Sequence, residues 1–325
     1  MTASPTTSPP TAEFEVPSDA AGLRLDQCLA RCVTGLSRRT ARIALDLGGI
    51  FVDNKRVKVA SRKVYPGQRV RVYLGTAFAN ATKATGRDAR ARDEAKLPPP
   101  RILYEDEHVI TVFKPAGLLT APTPESDRNN LLSVLSHRTQ PPERLFVVHR
   151  LDLHTSGVLI IARSELANQR LSETFRTHTL TRQYEVWVSG HVPEQEFSVT
   201  TPVGGKPAIT HFRVLRRLTI PEANGSAVSP DDGSSANATQ HPVTHLEATL
   251  ETGRTHQIRI HASSMGHPVL ADPKYGQRES WHPRRLALHA KRLALPHPAT
   301  GEPLDFVAPP PEDLEAWLAN VTTHA

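Results

Sequence analysis

The stretch LFVVHRLDLHTSGVLIIA, residues 145–162, decides how this chain is read. Two apolar runs, Leu145–Val148 and Val158–Ala162, enclose the polar cluster His149-Arg150-Leu151-Asp152-Leu153-His154-Thr155-Ser156-Gly157. Runs of that length suit buried strands rather than helices. An acid placed where a buried strand emerges is poorly solvated, so it needs a partner or a chemical role. Composition leaves two readings open: Asp152 caps a turn and pairs with Arg150, or it is a reactive carboxylate.

Around this stretch, strand-like alternation recurs at His108–Phe113, Gln183–Val188, Thr210–Leu215 and Thr244–Leu250. Helical spacing interrupts it over Ser164–Thr177 and Thr255–Met265, the second ended by Gly266. Residues 101–320 therefore read as a mixed, mainly antiparallel sheet with flanking helices. Residues 221–244 (PEANGSAVSPDDGSSANATQHPVT) lack core residues and read as a disordered insertion.

The N-terminal part has a different character. Residues 1–21 are rich in Ser, Thr and Pro and read as a disordered tail, with neither a secretory signal nor a transit peptide expected. Leu25, Cys28, Leu29 and Cys32 then fall on one helical stripe. Ser37 can cap a second helix that carries Arg38, Arg39 and Arg42 and stops at Gly48-Gly49. Ile50–Val52, Asp53-Asn54 and Arg56–Val59 read as a hairpin, and Tyr65-Pro66-Gly67-Gln68 as a turn into Val70, Val72 and Leu74. Residues 22–75 thus form a small α+β module with twelve Lys or Arg against three acids, a local balance of +9 in a chain whose total is +6. Such asymmetry points to a polyanion-binding accessory domain, or else to a solvated basic face. Residues 76–100 read as a linker, making the whole an α+β chain of two domains.

Composition excludes several classes. No apolar run approaches the ~18–20 residues of a membrane helix. Two cysteines in 325 residues exclude a disulfide framework and point to a reducing, cytoplasmic setting. The sixteen histidines invite a metal hypothesis, but His256 and His261 stand five apart, and Cys28 and Cys32 have no second ligand pair. No phosphate-binding glycine loop is recognisable; Gly204-Gly205 lacks the remaining glycines and the lysine. The chemistry is therefore expected to need neither metal nor cofactor.

Two further segments could carry chemistry. In TGRTHQIRIH (252–261) a glycine turn, a Thr cap and a dense set of donors open a helix, and Arg259 is the obvious cation to hold a carboxylate ionised. The alternative is a surface helix with solvated charges. In RQYEVWV (182–188) Tyr184, Val186 and Val188 share one strand face, so Tyr184 is a core aromatic or a stacking surface for a base.

At these residues a resemblance appears. HRLDLHTSG (149–157) resembles the signature of the RluA-type pseudouridine synthases. TGRTHQIRIH (252–261) with GHPVLADPKYG (266–276) resembles the third motif of that family. VITVFKPAGLLTAP (109–122), RQYEVWVSG (182–190) and LALHAKRLALPHPATGEPLDFVAPPP (286–311) match in the expected order, and residues 22–75 are similar to the S-four-like RNA-binding domain often fused to these enzymes. The resemblance implies isomerisation of uridine to pseudouridine in structured RNA on a flipped-out nucleotide. Asp152 would be the catalytic carboxylate, Arg259 its partner, and Tyr184 the residue against the target base. Ile258 would pack beneath that base, Arg150 would enter the RNA where the uridine leaves the stack, and Thr155 and His256 complete the substrate-binding set.

In the accessory module Arg38, Arg39, Arg42 and Lys55 are the phosphate-binding candidates. Ile258 stands where Leu is common and Arg182 where Lys is usual; both keep the chemical type. Large-subunit ribosomal RNA is the expected partner, with transfer RNA as the other candidate, and the chain is expected to act as a monomer off the membrane. Two competing readings are a non-catalytic RNA-binding or ribosome-assembly factor and a metal-dependent hydrolase of RNA. The first has no use for a buried carboxylate near a polyanion, and the second lacks ligand spacing.

Overall fold

A computed structural model describes residues 10–83, 98–124, 130–138, 143–221 and 240–323. The chain divides into two compact units: residues 1–97 with 121–141, and residues 98–120 with 142–325. Among the described residues no helix is long and apolar enough to cross a membrane.

In the first unit the helical stripe becomes α1 (Leu25–Cys32), with Leu25, Cys28 and Leu29 fully buried. Ser37 caps α2 (Arg38–Leu47), its hydroxyl accepting from the Thr40 amide at 3.2 Å, and the helix stops at Gly48. The hairpin forms around Asp53-Asn54 as β2 (Ile50–Val52) and β3, but β3 is the short Lys55–Arg56 rather than Arg56–Val59, and β4 (Arg69–Val72) joins β2. The tail expected over residues 1–21 is corrected: Ala12–Glu15 form β1, which pairs antiparallel with β4 and completes a sheet in the order β1-β4-β2-β3. Phe14 and Ala12 pack against the core and Val16 is buried, an alternation that the neighbouring Ser and Pro residues conceal. Residues 1–9 lie outside the described residues.

The linker expected over 76–100 is corrected at its start. Thr76–Lys83 form α3, and Phe78 packs on the core of the first unit. Alanines favour the helix there, and one aromatic is enough to dock it. Residues 84–97 lie outside the described residues. The expected catalytic range 101–320 also needs revision, because residues 121–141, with α4 (Leu131–Ser136), cluster with the first unit.

The second unit is built on β5 (Arg101–Glu105), β6 (Val109–Lys114), β7 (Phe146–Val147), β8 (Ser156–Ala162), β9 (Thr181–Ser189), β10 (Glu196–Val199), β11 (Thr210–Pro221), β12 (Gln240–Leu250), β13 (Leu288–Pro296) and β14 (Pro303–Val307). The main order is β10-β11-β12-β9-β13-β8-β6-β5, with β14 on β13 and β7 on β8. Every pairing is antiparallel except β13 with β8. The sheet is thus mixed and mainly antiparallel, as the alternation implies. The flanking helices are α5 (Glu165–Thr177), α6 (Gln257–Ser264) and α7 (Glu312–Thr323). The insertion expected over 221–244 narrows, since β11 runs to Pro221 and Gln240–Thr244 already pair within β12. Residues 222–239 lie outside the described residues.

β8 is buried along its whole length, and Gly157 near its start adjoins Ala290 of β13. A Cβ at Gly157 would sit 2.1 Å from the Ala290 carbonyl oxygen, and the residue has φ +126°, a conformation that L side chains rarely adopt. Only glycine allows the one parallel pairing to close next to the Asp152 loop. Gly157→Ala is therefore expected to destabilise the second unit by about 2–4 kcal/mol, read as a lowered thermal midpoint; an unchanged midpoint would refute this account of the junction.

Candidate active site

Asp152 sits in the loop between β7 and β8, and that loop is stitched to the turn after β6. The Thr120 hydroxyl donates to the Leu151 carbonyl (3.1 Å) and accepts from the Leu151 amide (3.3 Å), while the Gly117 amide donates to the Leu153 carbonyl (2.7 Å). Lys114, fully buried at the end of β6, donates from Nζ to the carbonyls of Pro115 (3.0 Å), Leu118 (2.7 Å) and Leu153 (3.4 Å). Burial pushes its amine down to about 7, with Asp152 pulling upward and Arg285 downward. Lys114 escaped the sequence reading, although a lysine closing the apolar run Val109–Phe113 was a signal of a buried charge.

The partner of Asp152 arrives on α6. Arg259 Nη1 donates to Asp152 Oδ2 at 3.0 Å, so the guanidinium meets the carboxylate as the motif implied. The turn-cap alternative, with Arg150 paired to Asp152, is not what forms; Arg150 is exposed. The remaining edge of Arg259 is gripped by fully buried Asp272, with Nε to Oδ2 at 2.7 Å and Nη2 to Oδ1 at 2.8 Å. Burial opposes the charge of Arg259, but Asp272 and Asp152 outweigh it and hold the guanidinium above its usual range. Burial likewise opposes the Asp272 carboxylate, and Arg259 with the amides of Lys274 and Tyr275 outweighs it and holds the carboxyl low. The Arg259 guanidinium carbon also lies 5.1 Å from the Tyr275 ring centroid.

The Thr cap expected for α6 is corrected. The helix starts at Gln257, after His256 in a left-handed conformation (φ 58°). The Gln257 side chain instead reaches back out of the helix, its Oε1 accepting from the Arg254 amide (3.0 Å) and the Thr252 hydroxyl (2.8 Å), and no side chain caps the helix at His256. The twist at His256 brings its Nε2 to 3.7 Å from Asp152 Oδ2, while Nδ1 lies 3.0 Å from the Tyr275 hydroxyl. Burial lowers the His256 pKa, with Asp152 opposing and Arg259 adding, so the ring is neutral at pH 7.

Of the other expected residues, Ile258 is buried in the core that Tyr184 packs against. Tyr184 lies on β9 opposite Ala248 of β12; burial pushes its phenol up to about 12, with Arg182 opposing and Asp152 adding. Thr155 is buried, its hydroxyl is unpartnered, and its amide donates to the Asp152 carbonyl at 3.1 Å. In the first unit Arg38, Arg39, Arg42 and Lys55 are exposed. Two of these four are anchored by one carboxylate, since buried Asp26 pairs with Arg42 (2.8 Å) and Arg38 (3.6 Å) as well as with Arg24 (3.1 Å). Asp272, Tyr275 and Arg285 were not singled out from sequence. Arg285, which pairs with Asp313 at 2.6 Å and donates to the Ser156 hydroxyl at 3.1 Å, lies 26 residues beyond Arg259, so no spacing rule connects them.

A partly exposed carboxylate backed by a fully ligated guanidinium, with an aromatic and an aliphatic side chain nearby, is suited to covalent or proton-transfer work on a flat ring. The profile of the RNA pseudouridylate synthase family matches residues 108–264, a span that holds Asp152, Tyr184 and Arg259. A ribosomal large subunit pseudouridine synthase D of Nitrosomonas europaea is 35% identical across 95% of this chain and 87% of its own length. The chain belongs to the pseudouridine synthases. An RNA pseudouridine synthase of Bacillus subtilis is 31% identical over 92% of this chain and 94% of its own. In architecture the enzyme is similar to human RNA pseudouridylate synthase domain containing 1, with a TM-score of 0.51 at 24% identity, over 65% of this chain and 84% of that one. It is accordingly an isomerase, converting uridine to pseudouridine in RNA.

Removing one carboxylate from the buried pair leaves Arg259 partly unmet. Asp272→Asn is expected to cost about 3 kcal/mol of stability and to slow isomerisation, with Asp272→Glu recovering part of both. Thermal melts beside release of tritium from carbon 5 of labelled uridine would check it, and a fully active Asn variant would contradict the arrangement.

Proposed function

We propose that the enzyme isomerises specific uridines of large-subunit ribosomal RNA, in the cytoplasm and as a monomer, with Asp152 as the catalytic carboxylate. The observation that carries this reading is the Arg259 guanidinium divided between Asp272 and Asp152, which fixes one carboxylate at the tip of a clamped loop. The name of the Nitrosomonas europaea relative supports the choice of RNA.

The reaction cuts the bond between uracil nitrogen 1 and ribose carbon 1′, turns the base, and rejoins it through carbon 5. The uridine must leave the helix, at a cost of a few kcal/mol that is smaller in loops and weak pairs. Arg150, exposed beside the loop, fills the place it vacates. Tyr184 lies against the base, Ile258 supports it from beneath, and Thr155 and His256 offer hydrogen bonds around it. The first unit adds phosphate contacts through Arg38, Arg39, Arg42 and Lys55; Asp26 holds two of these in fixed directions while leaving them half exposed.

Asp152→Asn is expected to bind a large-subunit ribosomal RNA transcript as the parent does and to lose isomerisation by more than about 1,000-fold. Appreciable tritium release by that variant would sink the assignment. In the first unit, Arg39→Gln with Lys55→Gln is expected to flatten the log–log salt dependence of RNA binding by about 1.5, because each phosphate contact contributes roughly 0.7–0.9. An unchanged slope would identify those side chains as a solvated face.

A further inference from the structure

Among the described residues of the second unit, one buried guanidinium lacks a counter-charge. Arg182 stands two residues before Tyr184 on β9, hence on the same strand face, and is 8% exposed. Its Nη2 donates to the Glu251 carbonyl at 2.9 Å, and its buried Nε has no partner. Among the described residues no carboxylate pairs with it, and burial holds its pKa below the usual guanidinium range, with Tyr184 opposing. The fold makes room for it: a Cβ at Gly253 would lie 2.5 Å from Arg182 Nη1. Phe175 lies beside the guanidinium at 6.0 Å from ring centroid to central carbon, with His149 stacked on Phe175 at 4.4 Å. Neither neighbour can neutralise it, since Phe175 is uncharged and an imidazole carries no negative charge; burial, with Arg182 adding, pushes His149 down to about 3, so the ring is neutral. Tyr184, pushed up to about 12, is equally neutral at pH 7.

Two other buried cations nearby are already engaged. Arg259 faces two carboxylates, so that trio carries a net negative charge, and Lys114 is enclosed by three carbonyls. The reaction needs the opposite sign at the base. When the bond between nitrogen 1 and carbon 1′ breaks, its electron pair stays on the uracil. The ring is negative until carbon 5 bonds to carbon 1′, releases its proton, and nitrogen 1 gains one. In a water-poor site an uncompensated charge acts over a longer distance than one already paired.

Resting on the placement of Tyr184 against the base, we infer that Arg182 is a positioning residue whose unpaired charge, set beside Tyr184, stabilises the negative uracil between bond breaking at nitrogen 1 and bond making at carbon 5. A buried guanidinium without a carboxylate weakens the fold, a cost that this use offsets.

The test uses the full chain and a large-subunit ribosomal RNA transcript carrying tritium at carbon 5 of uridine. Arg182→Met is expected to lower the single-turnover rate of tritium release roughly 10- to 100-fold. RNA affinity should stay within about 2-fold, and the melting temperature should hold or rise as the unpaired charge disappears. Arg182→Lys should keep most of the rate, and Arg182→Gln, which retains a donor for the Glu251 carbonyl, should behave as the Met variant does. An unaltered rate in the Met and Gln variants overturns the inference. So does a rate loss in both that comes with a lower melting temperature or weakened RNA binding, since that is the mark of a structural role. A parent enzyme that releases no tritium would instead overturn the functional reading, and the inference with it.

Discussion

The guanidinium of Arg259 is divided between two carboxylates, and the site is arranged around that division. Asp272 has no access to water, so its charge must be met inside the protein, and the two-point contact with Arg259 meets it. That grip also fixes the plane of the guanidinium and leaves Nη1 for Asp152. A loop carboxylate thereby inherits the rigidity of a helix docked on the sheet. The arrangement works only if the loop itself is held, and Lys114, Thr120 and Gly117 hold it through backbone contacts that leave the Asp152 side chain uncommitted.

Charge in the second unit is placed unevenly. Arg259 is fully paired, Lys114 is enclosed by carbonyls, and Arg182 is buried with no carboxylate partner among the described residues. A fold selected for stability alone would pair or remove such a group. Its position on the Tyr184 face ties the cost to the chemistry, in keeping with the rule that functional sites break local consistency where the rest of the fold can bear it.

Much of this was legible along the chain. The run around Asp152 implied two buried strands with an acid between them; β8 is one, whereas β7 spans only Phe146–Val147 and is partly buried. The alternation at Gln183–Val188 and Thr244–Leu250 implied strands, and the spacing of Leu25, Cys28 and Leu29 implied α1; all of these formed. The misreadings came where composition concealed a pattern. Ala12–Glu15 alternates within a Ser- and Pro-rich context, Thr76–Lys83 looked like linker until Phe78 found a core, and the expected Thr cap did not form at the start of α6.

By itself the sequence determined the element types and the two-part organisation, because these depend on periodicity and on residue types recurring within short windows; the carboxylate with its arginine was implied by the family resemblance of two separate motifs. Tertiary structure alone decided that Asp272 shares Arg259, that Lys114 braces the Asp152 loop, and that Arg182 meets no carboxylate among the described residues. Each of those facts depends on the distance between residues brought together by sheet pairing and on the exclusion of water around them. Pairing across 107 residues, as between Asp152 and Arg259, leaves no periodic trace in the chain.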